Sequence, residues 1–415
     1  MSNLLLTNIK QLVGVHGNNK LLRGKELAQL PFIENAYLLL EDGYIVAFGK
    51  MQEVTHLQIP ISDTLNLQNQ LVLPTWCDSH THLVFAASRE NEFIDKLKGL
   101  SYAEIAANGG GILNSAKLLN ETSEDVLFNI AWQRLQEIIA LGTGAVEIKS
   151  GYGLCVAGEL KMLRVIQKLK KKSPIPIKAS FLGAHTYPLE FKENHQAYIQ
   201  IVINEMLPII AKENLADYVD VFCETGFFSP EETKQICTAA MQYGLKPKLH
   251  VNQLNSIGGV KTGIELKSVS LDHLEVMEEE DIKLLASANS IGTLLPTAAY
   301  FLRMPFQPAR KMIDSNCAIA LASDYNPGSS PSGNMNTVVS MSCIQMKMLP
   351  EEAINAATIN GAHAMEIANE LGSIAVGKRA NLIVTKKIPS LAYLPYSFGT
   401  NLIDKVFING EIYKS

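Results

Sequence analysis

Eight short apolar runs dominate the middle of this 415-residue chain, and stretches of helical length separate them. The runs are LVLPTWCDSH, GAVEIKS, IKASFLGAH, YVDVFCET, KPKLHVNQ, SVSLDHLE, IGTLLPTA and AIALASDYN. Most are apolar on consecutive positions, as parallel strands covered on both faces are. SEDVLFNIAWQRLQEIIALG and PFQPARKMIDSN are examples of the helical segments between them. Eight such β/α repeats predict an α/β fold, a (β/α)8 barrel of the TIM type. A doubly wound open sheet gives a similar alternation. No GxGxxG or GxxxxGK[ST] follows a strand, so a nucleotide-binding sheet has no positive support.

The two ends differ from the middle and resemble each other. AYLLLEDGYIVAFG turns at Asp42-Gly43 and KVFINGEIY at Asn409-Gly410. Both dipeptides accept the positive φ of a tight hairpin turn. GSIAVGKRANLIVT adds a further β-rich stretch. The expected organisation is therefore a small β-sandwich domain built from residues 1–70 and 370–415, with the barrel, 71–369, inserted between its halves. The net charge of −5 gives no footprint for nucleic acid or an anionic membrane. Six scattered cysteines without a CxxC pair suggest free thiols in a reducing compartment. No apolar run is long enough to span a bilayer, and the N-terminus lacks the features of a signal peptide. The expected location is cytoplasmic.

Polar chemistry gathers where the apolar runs end. Strand one closes on His80-Thr81-His82, strand two on Lys149 and Tyr152, and strand three on His185. Strands four, five, six and eight close on Glu224, His250, His273 and Asp324. Five of the nine histidines fall at these ends, a bias that random scatter does not give. In a barrel, such residues converge on one mouth. His80 and His82 lie two apart on a strand, so both face one side and can share a metal. His250 and Asp324 complete a nitrogen and oxygen donor set that suits Zn²⁺ or iron. A metal there would activate a water and polarise a carbonyl.

Longer blocks carry a more specific signal: DSHTHLVFAASRENEF, SYAEIAANGGGI, EIKSGYGL, FLGAHTYP, DVFCETGFFS, LDHLE and SDYNPGSSP. With these, the chain resembles the amidohydrolase superfamily and, within it, the imidazolonepropionases. The resemblance implies hydrolysis of 4-imidazolone-5-propanoate to N-formimino-L-glutamate, the ring-opening step of histidine degradation, with one Zn²⁺ or iron ion per chain. It implies His80, His82, His250 and Asp324 as metal ligands. Arg89, Tyr152, His185, Gln253, Asn326, Gly328 and Ser329 match its substrate contacts. Guanidinium is the side chain best shaped to hold the substrate's carboxylate. Polarisation of the ring carbonyl falls to the metal, helped by His185 or His273, and Asp324 is the expected base and proton shuttle. The glycine-rich SYAEIAANGGGI looks like a lid, from which Tyr102 would contact substrate. A homodimer is the default assembly.

One position departs from the family pattern. Many members carry an acidic residue two positions after the strand-five histidine, where this chain has Asn252. Asp324 assisted by His273 then has to activate the water. Deamination is the nearest rival activity, but it usually needs a glutamate three residues after that histidine, and the residue here is Gln253. Two-metal cyclic amidases usually need a lysine on strand four, and YVDVFCET has none. A scaffold that had lost its chemistry would be expected to have lost ligands, and all four are present.

Overall fold

The structure, a computed structural model, describes residues 3–57, 59–100, 104 and 110–414. The first five strands are β1 (Asn3–Val13), β2 (Phe32–Glu41), β3 (Tyr44–Lys50), β4 (Asp63–Asn66) and β5 (Leu71–Pro74). Eight more follow: β6 (Trp76–Asp78), β7 (Thr143–Lys149), β8 (Ile177–Ala184), β9 (Tyr218–Cys223), β10 (Lys246–Val251), β11 (Ser270–His273), β12 (Ile291–Leu294) and β13 (Ile319–Leu321). The last three are β14 (Leu382–Thr385), β15 (Ile403–Ile408) and β16 (Glu411–Ile412).

Strands β6 to β13 pair in sequence order, all parallel, and coincide with the eight apolar runs. The ends of the first and last meet. Thr81 bridges Tyr325 in parallel, Asp324 N–H donates to His80 O at 3.0 Å, and His82 N–H donates to Tyr325 O at 2.9 Å. The barrel thus closes through the residues that carry the HxH pair and the strand-eight aspartate.

Helices follow the strands. α1 (Glu90–Leu97), α2 (Gly111–Glu121) and α3 (Glu124–Ala140) lie between β6 and β7, and α4 (Val156–Lys172) lies between β7 and β8. α5 (Pro230–Met241) follows β9, and α6 (Glu279–Ser287) follows β11. Their starts are legible locally. Ser229 accepts from Glu232 N–H while Glu232 accepts from Ser229 N–H, a reciprocal cap that stops the chain fraying at α5.

The chain ends build a second sheet, in the order β16-β15-β14-β5-β1-β2-β3, with β4 also on β1. All eight strands are hydrogen-bonded into this one sheet. β1 pairs with β4 through Leu4–Thr7 and with β5 through Gln11 and Leu12, shifting register around Asn8 at φ +54°. Both expected hairpins form. Their tips touch, and a Cβ on Gly410 would stand 3.2 Å from Gly43 Cα. Leu6, Ile9 and Leu38 from one end share an apolar cluster with Leu382, Val384 and Phe407 from the other. Residues Leu22, Leu27 and Leu30 instead join the barrel's core. No helix among the described residues is long and apolar enough to cross a membrane, and all six cysteines are free thiols.

Candidate active site at the barrel mouth

Four donors converge where β6, β10 and β13 end. His80 Nε2 and His82 Nε2 each lie 3.5 Å from Asp324 Oδ1, and His250 Nε2 lies 3.4 Å from His82 Nε2. All four residues are buried. His80 Nε2 has no hydrogen-bond partner among the described residues. Donors about 2.1 Å from a central ion in tetrahedral array stand about 3.4 Å apart, so this spacing fits a metal. The residues also have the right protonation. Burial and neighbouring positive charge hold all three imidazoles well below their usual range, in the neutral form that a metal would require. Burial pushes the Asp324 carboxyl up to about 6, against the opposing charge of His273.

Three of the four donors have a second residue set against them, whereas His82 Nδ1 has no hydrogen-bond partner among the described residues. Asp272 Oδ2 accepts from His80 Nδ1 at 2.6 Å, which leaves Nε2 for the centre. Asp220 Oδ2 stands 2.9 Å from His250 Nδ1. Ser329 donates its hydroxyl to Asp324 Oδ2 at 3.1 Å, so Oδ1 faces the histidines. Asn326 donates to Ser329 Oγ at 2.7 Å and accepts from the Gly328 and Ser329 N–H groups at 2.8 Å. The NPGSS turn therefore steers the carboxylate as well as lining the pocket.

A pocket of about 330 Å³ opens above these donors, lined by Arg89, Tyr152, His185, Gln253, Asn326, Gly328 and Ser329 among others. Arg89 Nε donates to Ser115 Oγ on α2 at 2.8 Å, with Glu92 Oε1 at 3.9 Å. Its Nη2 is buried and unpartnered among the described residues. A buried, unpaired guanidinium nitrogen beside a metal-type cluster is costly unless an anion completes it. His185 Nδ1 donates to Gly151 O at 3.0 Å, and burial lowers its pKa to about 4. Its Nε2 is therefore an acceptor at neutral pH and cannot donate to a carbonyl. His273 is different. Burial works to lower its pKa, but the charge and hydrogen bond of Glu275 raise it overall, and Nδ1 lies 3.3 Å from Glu275 Oε1. Its ligand atom lies within 4.8 Å of those of His80 and Asp324.

Residues 71–413 match the sequence profile of the amidohydrolase family. Imidazolonepropionase from Christiangramia forsetii is 55% identical over 99% of both chains. The chain belongs to the imidazolonepropionases of the amidohydrolase family. Imidazolonepropionase from Parabacteroides distasonis is 44% identical, again over 99% of both chains. Among solved structures, guanine deaminase from E. coli superposes with a TM-score of 0.74 at 13% identity, covering 100% of this chain and 99% of its own. Adenosine deaminase from Xanthomonas campestris, solved with bound zinc, gives a TM-score of 0.66 at 16% identity, covering 99% and 92%. At these identities the likeness is one of fold.

Of the described residues singled out at or just after the strand ends, three neither line this mouth nor belong to its donor cluster. Glu224 accepts from the Leu254 and Asn255 N–H groups at 2.8 and 3.1 Å. Asn252 has φ +53°, and its amide donates to Val276 O at 2.8 Å and to Asp281 Oδ2 at 3.0 Å on α6. It does not line the pocket. Lys149 is buried beneath the site rather than at its rim. Tyr102 and most of the expected lid lie outside the described residues. Two contributors escaped the sequence reading. Lys96 lines the pocket with its ammonium 3.4 Å from Gly328 O. Glu159 on α4 accepts from the N–H groups of Gly151, Gly153 and Leu154 at 2.7–3.0 Å, fixing the loop that presents Tyr152. The basic residue's i+7 spacing from Arg89 was a usable signal for the first, since α1 brings both to one face.

Proposed function

We propose that this mouth opens the ring of 4-imidazolone-5-propanoate with water to give N-formimino-L-glutamate. One observation carries the reading: a single mouth holds two metal-type donor groups that share His80 (His80, His82, His250 and His80, His273, Asp324) and a buried arginine nitrogen unpaired among the described residues. The family relationship supports the same reaction. A cation held by His80, His82, His250 and Asp324 supplies Lewis-acid polarisation and a lowered water pKa when bound. The donor set accepts Zn²⁺ or iron, and zinc is present in the adenosine deaminase that shares the fold.

The protein's own residues do the rest. Arg89 takes the propanoate carboxylate on its fork and so fixes the ring carbonyl over the cluster. Asp324 removes a proton from water as the new carbon–oxygen bond forms. Glu275 keeps His273 oriented to donate to the carbonyl oxygen, and the carbon–nitrogen bond then breaks as the ring nitrogen takes the proton Asp324 gained. His185 accepts from a ring N–H through Nε2. Water's oxygen ends in the new carboxylate and its protons on the amidine and solvent, so the step balances without a redox partner.

The direct test is to incubate metal-loaded protein with 4-imidazolone-5-propanoate and follow the product by mass, beside a chelated sample. Product that disappears on chelation is expected. A folded, metal-bound protein that forms none would defeat the substrate assignment.

Arg89→Met removes a charge-assisted hydrogen bond of about 1.5–3 kcal/mol, so KM should rise by about 10- to 100-fold with kcat much less changed. Gly328→Ala tests the same clamp from the other side, because its Cβ would stand 2.6 Å from Arg89 Nη1. A higher KM at unchanged thermal stability is expected, and steady-state kinetics on both variants checks it. A wild-type KM in Arg89→Met would remove Arg89 from substrate binding. The division into a terminal β-domain (1–70 with 370–415) and a catalytic barrel (71–369) is supported by the shared cluster of both ends. A cytoplasmic location accords with the exposed free thiol of Cys155.

A further inference from the structure

Beneath the four donors lies a layer of charge that substrate does not reach. Lys149 Nζ stands 2.6 Å from Glu147 Oε1, 2.8 Å from Asp220 Oδ2 and 3.6 Å from Asp272 Oδ2, all with side chains fully buried. Asp220 and Asp272 are the same carboxylates that meet His250 Nδ1 and His80 Nδ1. Two ligand imidazoles are therefore tied, through one carboxylate each, to a single ammonium. Lys248 lies in the same layer but contacts Glu147, Ser79 O and Ala364 O, and none of these touches a ligand imidazole.

We propose that Lys149 is a positioning residue for the metal centre, holding Asp220 and Asp272 where they direct Nε2 of His250 and His80 at the ion. The inference rests on the metal-dependent reading of the site. The alternation of β7 places Glu147 and Lys149 on the inward face together, and β9 and β11 bring one aspartate each to the same level. A mobile or absent cation would leave two buried carboxylates facing each other without a shared donor. They would move apart, and His80, whose Nδ1 donates to Asp272, and His250, whose backbone N–H donates to Asp220 Oδ1 at 3.1 Å, would follow.

Charge alone predicts the opposite outcome, which makes the test sharp. The layer holds the ammoniums of Lys149 and Lys248 against three carboxylates. Removing Lys149 makes the ground under the donors more negative, and Coulomb attraction by itself would tighten binding of a divalent cation. Positioning predicts weaker binding, since loss of an outer partner of a ligand typically costs about 10- to 100-fold in metal affinity.

The experiment is competition for Zn²⁺ between a chromogenic chelator and three full-length chains: wild type, Lys149→Met and Lys248→Met. Circular dichroism and thermal melting are followed alongside. The expected result is a Zn²⁺ Kd weaker by about 10- to 100-fold in Lys149→Met and close to wild type in Lys248→Met. Both variants lose a buried ion pair, so a merely structural role would affect them alike. Equal weakening in the two, or a Kd in Lys149→Met that is unchanged or tighter, overturns the proposal. If Lys149→Met does not fold, Asp272→Asn and Asp220→Asn decide in the same assay, and a wild-type Kd in both overturns it. A wild-type chain that takes up no Zn²⁺ or iron overturns the metal reading and this inference together, whereas failure of Lys149→Met alone leaves that reading standing.

Discussion

Replacing Asp324 with asparagine is expected to lower kcat/KM by about 10⁴-fold or more while the protein stays folded. General-base catalysis alone is worth about 10²- to 10⁴-fold, and this side chain is also one of the four donors. The substitution is clean for a structural reason. Asp324 sits at φ +52°, a region that asparagine tolerates as well as aspartate does, so no backbone strain is added. The amide keeps one oxygen for the cluster and can still meet Ser329. What it loses is the negative charge and the ability to take a proton. Metal content and activity should be measured together. With Zn²⁺ in excess to refill the site, activity is expected to remain low, because restoring the ion does not restore the base. Full recovery on adding metal would mean that Asp324 is a ligand only and that the water is deprotonated elsewhere.

Much of this site was legible because strands translate sequence spacing into direction. A period of two puts His80 and His82 on one side, and eight apolar runs fix which ends meet. The four candidate donors could therefore be named before any contact was known. Direction failed where the backbone leaves the strand. Asn252 follows β10 by one residue, but φ +53° rotates its side chain onto α6 and out of the mouth. Sequence spacing carries no record of such a turn. Partnership was equally hidden. Lys149 reads as one more polar residue at a strand end, and only the packed barrel shows it gripping two carboxylates from β9 and β11. Glu159 was invisible for the same reason, since nothing in an amphipathic helix announces that one carboxylate faces three loop amides. The terminal hairpins were legible because their chemistry is local. Their joining into one sheet was not, since the order of strands from opposite chain ends is set by long-range pairing that no local signal records.

His273 separates transition-state chemistry from metal retention. His273→Asn is expected to reduce kcat by about 10²- to 10³-fold, the scale of removing one donor aimed at a developing oxyanion, with metal content unchanged. Three observations support that split. Its imidazole is held from behind by Glu275, which is fixed in turn by Gln307 Nε2 at 3.0 Å, so its orientation does not depend on an ion. His80, His82, His250 and Asp324 already supply four donors without it. Among the pocket's other imidazoles, His185 spends its proton on Gly151 O and cannot replace it. The choice of asparagine matters. His273 has φ +85°, and asparagine is among the residues that best tolerate a positive φ. The readout is kcat beside metal content on the same preparation. Loss of metal in step with activity would make His273 a ligand. Full activity would instead leave the carbonyl to be polarised without any protein donor, because His185 faces it with a lone pair.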